Sequence, residues 1–538
     1  MSSERGSLSD DGDRALTAGE WAAARDSFRA ALQLKETPEA LNGLAQALWW
    51  LGATHESIVA RERAYVGFRH RQDPAQAASL ALSLCVHYRA NVGNAAASSG
   101  WLGRAARLVD EFGLSELRGW VLLLRADEVD AVAGEMLARE AKEIGSRSGD
   151  LDLELCALAQ LGSALVSQGR EKEGFPLLDE AMAGSLSGEG GSFDTVVFTS
   201  CNMIGSCARS AQLERAVEWI RSADRFTRRY GCPFLFVFCR TLYGEVLIAS
   251  GDWVQAEEEL QTAVKDSAAS QARLHTDAVA ALAQLRLIQG RLDEAERLME
   301  GIGEQAPAVR AAIYLARGKA AAAAATATRA LHGADQLDRA VLAELLGEAE
   351  IAQGDVRAAT ARGRDLIHAG TALGCLAIRA RGERLLGHAE RLRGHLDTAV
   401  SQFTRLGMPY EAARAHLMLA ETVWSLEPEV AEAEARTALS AFEGLGAGRD
   451  ADAAAALLRG LGVKAARTGP RNVGILSKRE QEILALLGQG LSNPEIAERL
   501  YLSRRTVEHH VAHVLSKLGL RNRTEAAALA GRRAPIPE

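Results

Sequence analysis

Up to about residue 465 the chain repeats one arrangement of small, apolar and polar positions. A Gly or Ala is followed by a small residue five positions on, and by a third small or apolar residue twelve positions on. The pattern runs through Gly19/Ala24/Ala31, Gly52/Ser57/Ala64, Gly93/Ser98/Ala105, Gly169/Gly174/Ala181 and Ala211/Ala216/Ala223. It continues through Gly251/Ala256/Ala263, Gly290/Ala295/Ile302, Gly318/Ala323/Ala330, Gly354/Ala359/Leu366 and Gly394/Ala399/Leu406. A further small residue often stands seven positions before the first: Gly12, Ala45, Gly162, Gly244, Ala283, Ala311, Gly347 and Gly387. The first two units are 33 residues apart, later ones drift between 28 and 42, and no register can be set between 110 and 145.

This spacing predicts a helix–turn–helix unit. The leading Gly can close helix one, because it tolerates the left-handed conformation of a helix end. Residues at +5 and +12 share one face of helix two, since seven residues is close to two turns. Small side chains there let the two helices approach closely, and large ones such as Phe28, Leu260 and Phe403 are expected to fill the layer between units. A single pair cannot bury its apolar face alone, but a stack can. Segments such as AGEWAAARDSFRAAL and SGDWVQAEEELQTAV resemble the tetratricopeptide repeat, and the resemblance covers most of residues 10–445. The alternative is an Ala-rich helical bundle. The alanine run 320–325 reads as a strong helix segment.

The resemblance implies that the first helix of each unit lines a concave groove. It places Asn42, Gln46 and Trp49 there, then His87, then Phe238, Thr241 and Glu245. A late unit would present Arg381, Arg384, His388 and Arg391, spaced 3, 4 and 3 apart on one helix face and able to hold a carboxylate or an acidic peptide. The other reading of that row is a solvated basic face.

After a linker at 464–474, rich in turn residues and without periodicity, the pattern changes. Four short helices follow with clear starts. Ser477 with Glu480, Ser492 with Glu495 and Asn522 with Glu525 each have capping-box spacing, and Pro494 suits a first turn. Ile483, Leu484 and Leu487 form one apolar face, and Ile496, Ala497 and Leu500 another. Ser503 is the next N-cap, and Val507, Val511, Val514 and Leu518 form the buried stripe of the third helix. Two helices, a tight turn and a third helix with basic N-terminal residues make a helix-turn-helix layout.

The runs LSKRE, GLSNPEIAERL, SRRTVEHHV and KLGLRNRTEA resemble the LuxR-type DNA-binding domain over residues 475–531. The resemblance makes the third helix the recognition helix, with Arg505, Glu508, His509 and Ala512 facing bases. Asn493, Ser503, Arg504, Thr506, Lys517, Arg521 and Arg523 become phosphate candidates. Family members often carry Lys at the positions of Glu508 and Ala512, so base preference cannot be transferred. Helix four, Glu525–Leu529, would serve dimerisation, giving homodimers on promoter or operator DNA, with RNA polymerase as a further partner.

Composition narrows the rest. The 538 residues are 48% hydrophobic and 25% charged, ordinary for a globular protein, and aromatics are only 5%. The expected class is all-α: a tetratricopeptide-like solenoid over 13–463, a linker, and the four-helix domain, with flexible ends at 1–12 and 532–538. From Pro470 onward Lys and Arg number 11 against 7 Asp and Glu, a net of +4, which leaves −12 on the rest of the chain. An acidic body with a basic tail suits a sensor attached to a nucleic-acid reader. No run approaches eighteen consecutive apolar residues, and MSSERGSLSDDGD has no apolar signal region, so a membrane span and a secretory signal are not expected.

The seven cysteines lack zinc-ligand spacing even at their closest, Cys201/Cys207 and Cys232/Cys239, and read as reduced thiols in a cytoplasm. His509, His510 and His513 could suggest a metal, but helix surface plus one packed imidazole accounts for them. There is no GxxxxGK[ST], HExxH or GxSxG, so neither cofactor nor catalysis is expected. The functional expectation is a bacterial DNA-binding transcriptional regulator whose repeats bind a peptide, protein or small-molecule signal. The alternatives are an interaction scaffold with secondary DNA binding and an enzyme with an unrecognised site in the groove.

Overall fold

A computed structural model describes residues 2–210, 212–268, 272–331, 336–463, 478–500, 507, 510–511, 514–515 and 522–531. Among them all regular structure is helical, with one π-helical turn at Tyr88–Val92. Helices pair in sequence as the small-residue spacing requires. Helix Trp21–Leu34 buries Trp21, Ala24, Phe28 and Ala31, a stripe spaced 3, 4 and 3. The +5 and +12 residues Ser57, Ala64, Ser98, Ala105, Ala256 and Ala263 are fully buried.

Phe28, Leu260 and Phe403 are buried in the layer between helices as expected. Phe28 also explains two glycines. A Cβ on Gly12 would stand 2.7 Å from its ring and one on Gly43 2.3 Å, so both positions must lack a side chain for the ring to be sandwiched. Helix starts carry their own signals. Thr37 accepts from Ala40 N ahead of Pro38, and Asp73, Asn94 and Asp252 accept from the amide three residues on.

Eight of the ten leading small residues take the left-handed turn conformation: Gly19, Gly52, Gly93, Gly169, Gly251, Gly290, Gly318 and Gly354. Ala211 lies outside the described residues. Gly394 departs from expectation. It sits inside helix Arg393–Arg405, and Arg391, at φ 53°, makes the turn instead. The second helix still keeps its register, because Ala399 and Phe403 remain fully buried.

The unset stretch resolves into helices Ser115–Ala126 and Ala131–Ser148. Gly134 and Ala141 are buried at the +5 and +12 positions counted from Val129. The turn there ends on Asp130, whose carboxylate accepts from Val132 N and Ala133 N, so the leading glycine that marks other units is missing.

The first helix is Ser2–Ala18, so the chain is not irregular through residue 12; Leu8 packs beside Phe28 and gives that segment something to hold. The linker and the last seven residues lie outside the described residues. Two compact units can be distinguished. One comprises residues 1–287 with 291–409, the other 288–290 with 410–538. From Tyr410 onward the chain consolidates on itself: the Tyr410 hydroxyl donates to Asp450 at 2.8 Å, and its ring lies 6.0 Å from that of Phe442.

Within the first unit, distant segments return onto one another. Trp21 Nε1 donates to Tyr230 O, 209 residues away, and Arg273 donates to Arg89 O at 3.2 Å. Gly169 backs so closely on Leu373 that a Cβ would lie 1.8 Å from its carbonyl oxygen.

Helix Pro233–Ser250 is long and apolar enough, by length and composition, to cross a membrane, which amends the expectation drawn from run length alone. It is packed as a core helix: Leu235, Val237 and Cys239 are buried. The seven cysteines are free; five are buried, while Cys201 and Cys375 are half-buried. Burial pushes the Cys201 and Cys207 thiols up to about 12, which holds them as thiols.

Candidate nucleic-acid interface and repeat groove

The C-terminal domain is built from helices Lys478–Gly488, Asn493–Arg499 and Arg523–Gly531, with Val507, His510, Val511, Val514 and Leu515 described from the segment before the last. Ile483, Leu487, Ile496, Val507, Val514 and Ala526 are fully buried in one cluster. The stripe expected of the third helix faces inward at Val507, Val511 and Val514. First and last helices approach closely at Gly488, where a Cβ would stand 2.5 Å from that of Ala530.

Two of the three capping boxes can be placed. Glu495 reaches back to Ser492, accepting from its amide and its hydroxyl, each at 2.6 Å. These hydrogen bonds hold the Glu495 carboxyl below its usual range. Asn522 Oδ1 accepts from Glu525 N at 3.0 Å. Ser477 of the third box lies outside the described residues.

Of the residues expected from the sequence to contact DNA, Arg505, Glu508, His509 and Ala512 lie outside the described residues, as do Ser503, Arg504, Thr506, Lys517 and Arg521. Asn493 and Arg523 are described, and they meet each other: Arg523 Nη1 donates to Asn493 Oδ1 at 2.7 Å, and Nη2 donates to Leu491 O. Arg523 thus ties the start of the second helix to the start of the last. Sequence reading missed this structural role because the two residues are 30 positions apart. His510 is half-buried, with Nδ1 buried and without a hydrogen-bond partner among the described residues; His509 and His513 lie outside them.

The groove residues divide. Asn42, Gln46 and Trp49 are half-exposed on helix Pro38–Trp50, and the Trp49 ring meets those of Trp50 and His87 edge-on at 5.1 and 5.5 Å. His87 is buried and its Nδ1 lies 2.9 Å from Asn91 Nδ2 across the π-helical turn. Burial, with the Arg61 charge nearby, holds it well below the usual histidine range and so neutral. Phe238, Thr241 and Glu245 do come together, lining a single pocket.

The arginine row does not line a groove. Arg384 is 1% exposed; its Nε and Nη2 donate to Glu344 Oε1 at 2.9 and 2.6 Å, and its guanidinium lies 4.7 Å from the Phe403 ring centre. Arg381 donates to the other oxygen of Glu344 at 2.6 Å. Arg391 leaves the row to make the turn, while His388 is half-buried. Helix periodicity placed Arg381, Arg384 and His388 in one row of helix Leu376–Glu390. It could not show that a carboxylate 40 residues earlier occupies that face.

Comparison with known proteins adds the family. The family described as bacterial regulatory proteins, luxR family, matches residues 474–530. Transcriptional regulatory protein LnrK of Bacillus subtilis is 52% identical over 58 residues, 11% of this chain and 26% of that protein. DNA-binding transcriptional activator DevR/DosR of Mycobacterium tuberculosis is 41% identical over 93 residues, 17% of this chain and 42% of that protein. An HTH-type transcriptional regulator of Mycobacterium bovis is 34% identical over 206 residues, 36% of this chain and 21% of that protein, so this similarity reaches well outside the matched domain. The chain spans less than half the length of each of these relatives.

Among solved structures, a chain of the APC/C hetero-tetramer Cut9–Hcn1 is similar at TM-score 0.42 and 13% identity, covering 84% of this chain and 96% of that one. Yeast Tom70 is similar at TM-score 0.32 and 12% identity, covering 80% and 96%. The solenoid itself rests on the helix pairs and buried small residues described above. The chain thus carries, alongside a tetratricopeptide-like helical solenoid, a helix-turn-helix domain over residues 474–530 that matches the luxR family of bacterial regulatory proteins.

Proposed function

We propose that this protein is a LuxR-type DNA-binding transcriptional regulator whose helical repeats bind a signal and control how the C-terminal domain is presented to DNA. The observation that carries the reading is the match of residues 474–530 to the family, together with the inward stripe Val507, Val511 and Val514 on the core of Ile483, Leu487 and Ile496. On this reading Arg505, Glu508, His509 and Ala512 would read base edges in the major groove. Ser503, Arg504, Thr506, Asn493, Lys517 and Arg521 would hold phosphates. Arg523, already bonded to Asn493 and Leu491, would act on DNA chiefly by setting the domain's shape. The protein would act in the cytoplasm, as a homodimer on two half-sites about one helical turn apart.

The test is selection of binding sites from random DNA with the full chain, followed by footprinting. A defined, recurrent site is expected; failure to enrich any site would overturn the reading. Selection with Glu508→Ala should relax preference at one base pair, whereas identical site preferences would remove Glu508 from base reading. Lys517→Ala should weaken all sites alike and reduce the salt dependence by about one unit of slope.

A further inference from the structure

Helix Leu151–Ser167 presents Gln160, Ser163, Ala164 and Ser167, one helix face, to an open cavity of about 680 Å³. The volume suits a small molecule. The opposite wall comes from far along the chain, at Leu373, Cys375 and Ile378. The two walls are held together where Gly169, itself part of the lining, backs on Leu373.

The charged side chains of the lining are already engaged. Asp127 accepts from Arg89 at 2.7 Å, and Asp130 accepts from Val132 N and Ala133 N at 3.0 Å. Glu171 accepts from Gln212 at 3.0 Å, and Arg209 donates to Ser163 at 2.8 Å. Arg339 has a partner as well. Gln160 differs. It is 8% exposed and lines the cavity, yet its carboxamide has no hydrogen-bond partner among the described residues. A buried amide whose donor and acceptor are both unmet carries a desolvation cost that a guest can relieve.

The carboxamide offers one N–H beside one C=O. Its complement is the cis-amide edge of a ring, as in a lactam or a nucleobase, which closes two antiparallel hydrogen bonds with it. A carboxylate cannot donate to the Gln160 oxygen and an ammonium cannot accept from its nitrogen, so either ion would leave half of the amide unpaired. Val166, Leu373 and Ile378 supply apolar wall for the body of the ring.

We propose that this cavity binds a small neutral cyclic amide, its cis-amide edge paired with Gln160 and its body against Val166, Leu373 and Ile378. The assignment rests on the reading of the repeats as a signal-binding part and names the chemical class of that signal. A guest held between the two walls would tie an early stretch of the repeats to a late one.

Calorimetry on the full chain with 2-piperidone and thymine tests this, against N-methyl-2-piperidone and 1,3-dimethylthymine, which keep ring and carbonyl but lose the N–H. Saturable binding of the first pair is expected, with the methylated pair weaker by roughly tenfold or more. Gln160→Leu should bring the first pair down to the level of the second. Ser167→Leu, which takes up cavity space and leaves Gln160 in place, should weaken both; circular dichroism checks that the variants fold. Without ligand, Gln160→Leu should melt no lower than wild type, because it removes an unpaired amide; a lower melting temperature would make Gln160 a structural residue and overturn the assignment. So would equal binding of the methylated rings or of the polyol erythritol, no lactam binding at millimolar concentration, or binding indifferent to both variants. DNA binding of the same preparation is scored separately. Its loss alone sinks the regulator reading, and an intact footprint with no lactam binding sinks only the cavity.

Discussion

Helices Pro233–Ser250 and Leu376–Glu390 hold the same place in their units, yet their equivalent side chains have opposite surroundings. On the first, Phe238, Thr241 and Glu245 open onto a pocket. On the second, Arg381 and Arg384 are locked to Glu344. The cause lies in neighbouring units. After Thr241, ten residues before Gly251, the equivalent positions are Ala280 and Ala308, which leave space. Against Arg381 and Arg384 stands Glu344, ten residues before Gly354, which fills the space with opposite charge. Repeat register thus decides which residues share a row, and the neighbours' size and charge decide whether that row is a site or a strut.

The largest effect should come from breaking the strut. Arg384→Ala leaves the Glu344 carboxylate, itself 3% exposed, without its main partner. Loss of one member of such a buried pair costs about 3–5 kcal/mol, whereas a joint Glu344→Met/Arg384→Met change should restore most of it. Denaturant unfolding measures both; a loss below about 1 kcal/mol for Arg384→Ala would mean the pair is solvated and the contrast false.

Next is the packing that fixes the register. Gly43→Ala puts a Cβ 2.3 Å from the Phe28 ring and should cost about 1–3 kcal/mol. Ala280→Leu adds more volume but points into open space, and should stay within about 0.5 kcal/mol of wild type. If the two cost the same, the pocket is not empty space.

In the C-terminal domain, Arg523→Ala removes the bonds to Asn493 and Leu491 O and should destabilise that domain by about 1–2 kcal/mol. A variant of unchanged stability that loses DNA affinity would instead return Arg523 to the phosphate contacts.

The smallest effect concerns pH. Glu245 is raised from 4.5 to about 8 in the folded protein. Between those values the folded chain keeps a proton that the unfolded chain has released, so stability is full below the lower value and falls as pH rises through the upper. Because Glu245 is exposed to the groove, water and salt reduce the loss to roughly 1 kcal/mol. Glu245→Gln should match wild type at pH 4 and exceed it at pH 9 in thermal unfolding. A wild-type curve that rises over that interval relative to the variant would reverse the sign and refute the shift.

Much of this was legible in the residues. Glycine turns, buried small positions and inter-unit fillers were readable because helix periodicity and left-handed turns act locally. So were the Ser492/Glu495 and Asn522/Glu525 caps, three residues apart, and the valine stripe of the domain's third helix. The same local reading failed where its signal was missing, at the Asp130 turn, or misleading, at Gly394. It also placed Arg384 on the right face and gave it the wrong fate.

By itself, then, the sequence determined the units: helix pairs in a row, followed by a domain whose motifs name its family. Tertiary structure alone decided what depends on residues far apart in the chain. Glu344 meets Arg384 across 40 positions, Arg523 meets Asn493 across 30, and Trp21 meets Tyr230 across 209. Periodicity fixes the direction in which a side chain leaves its helix. What it meets there is set by how units stack, and that sum of small rotations is encoded in no single unit.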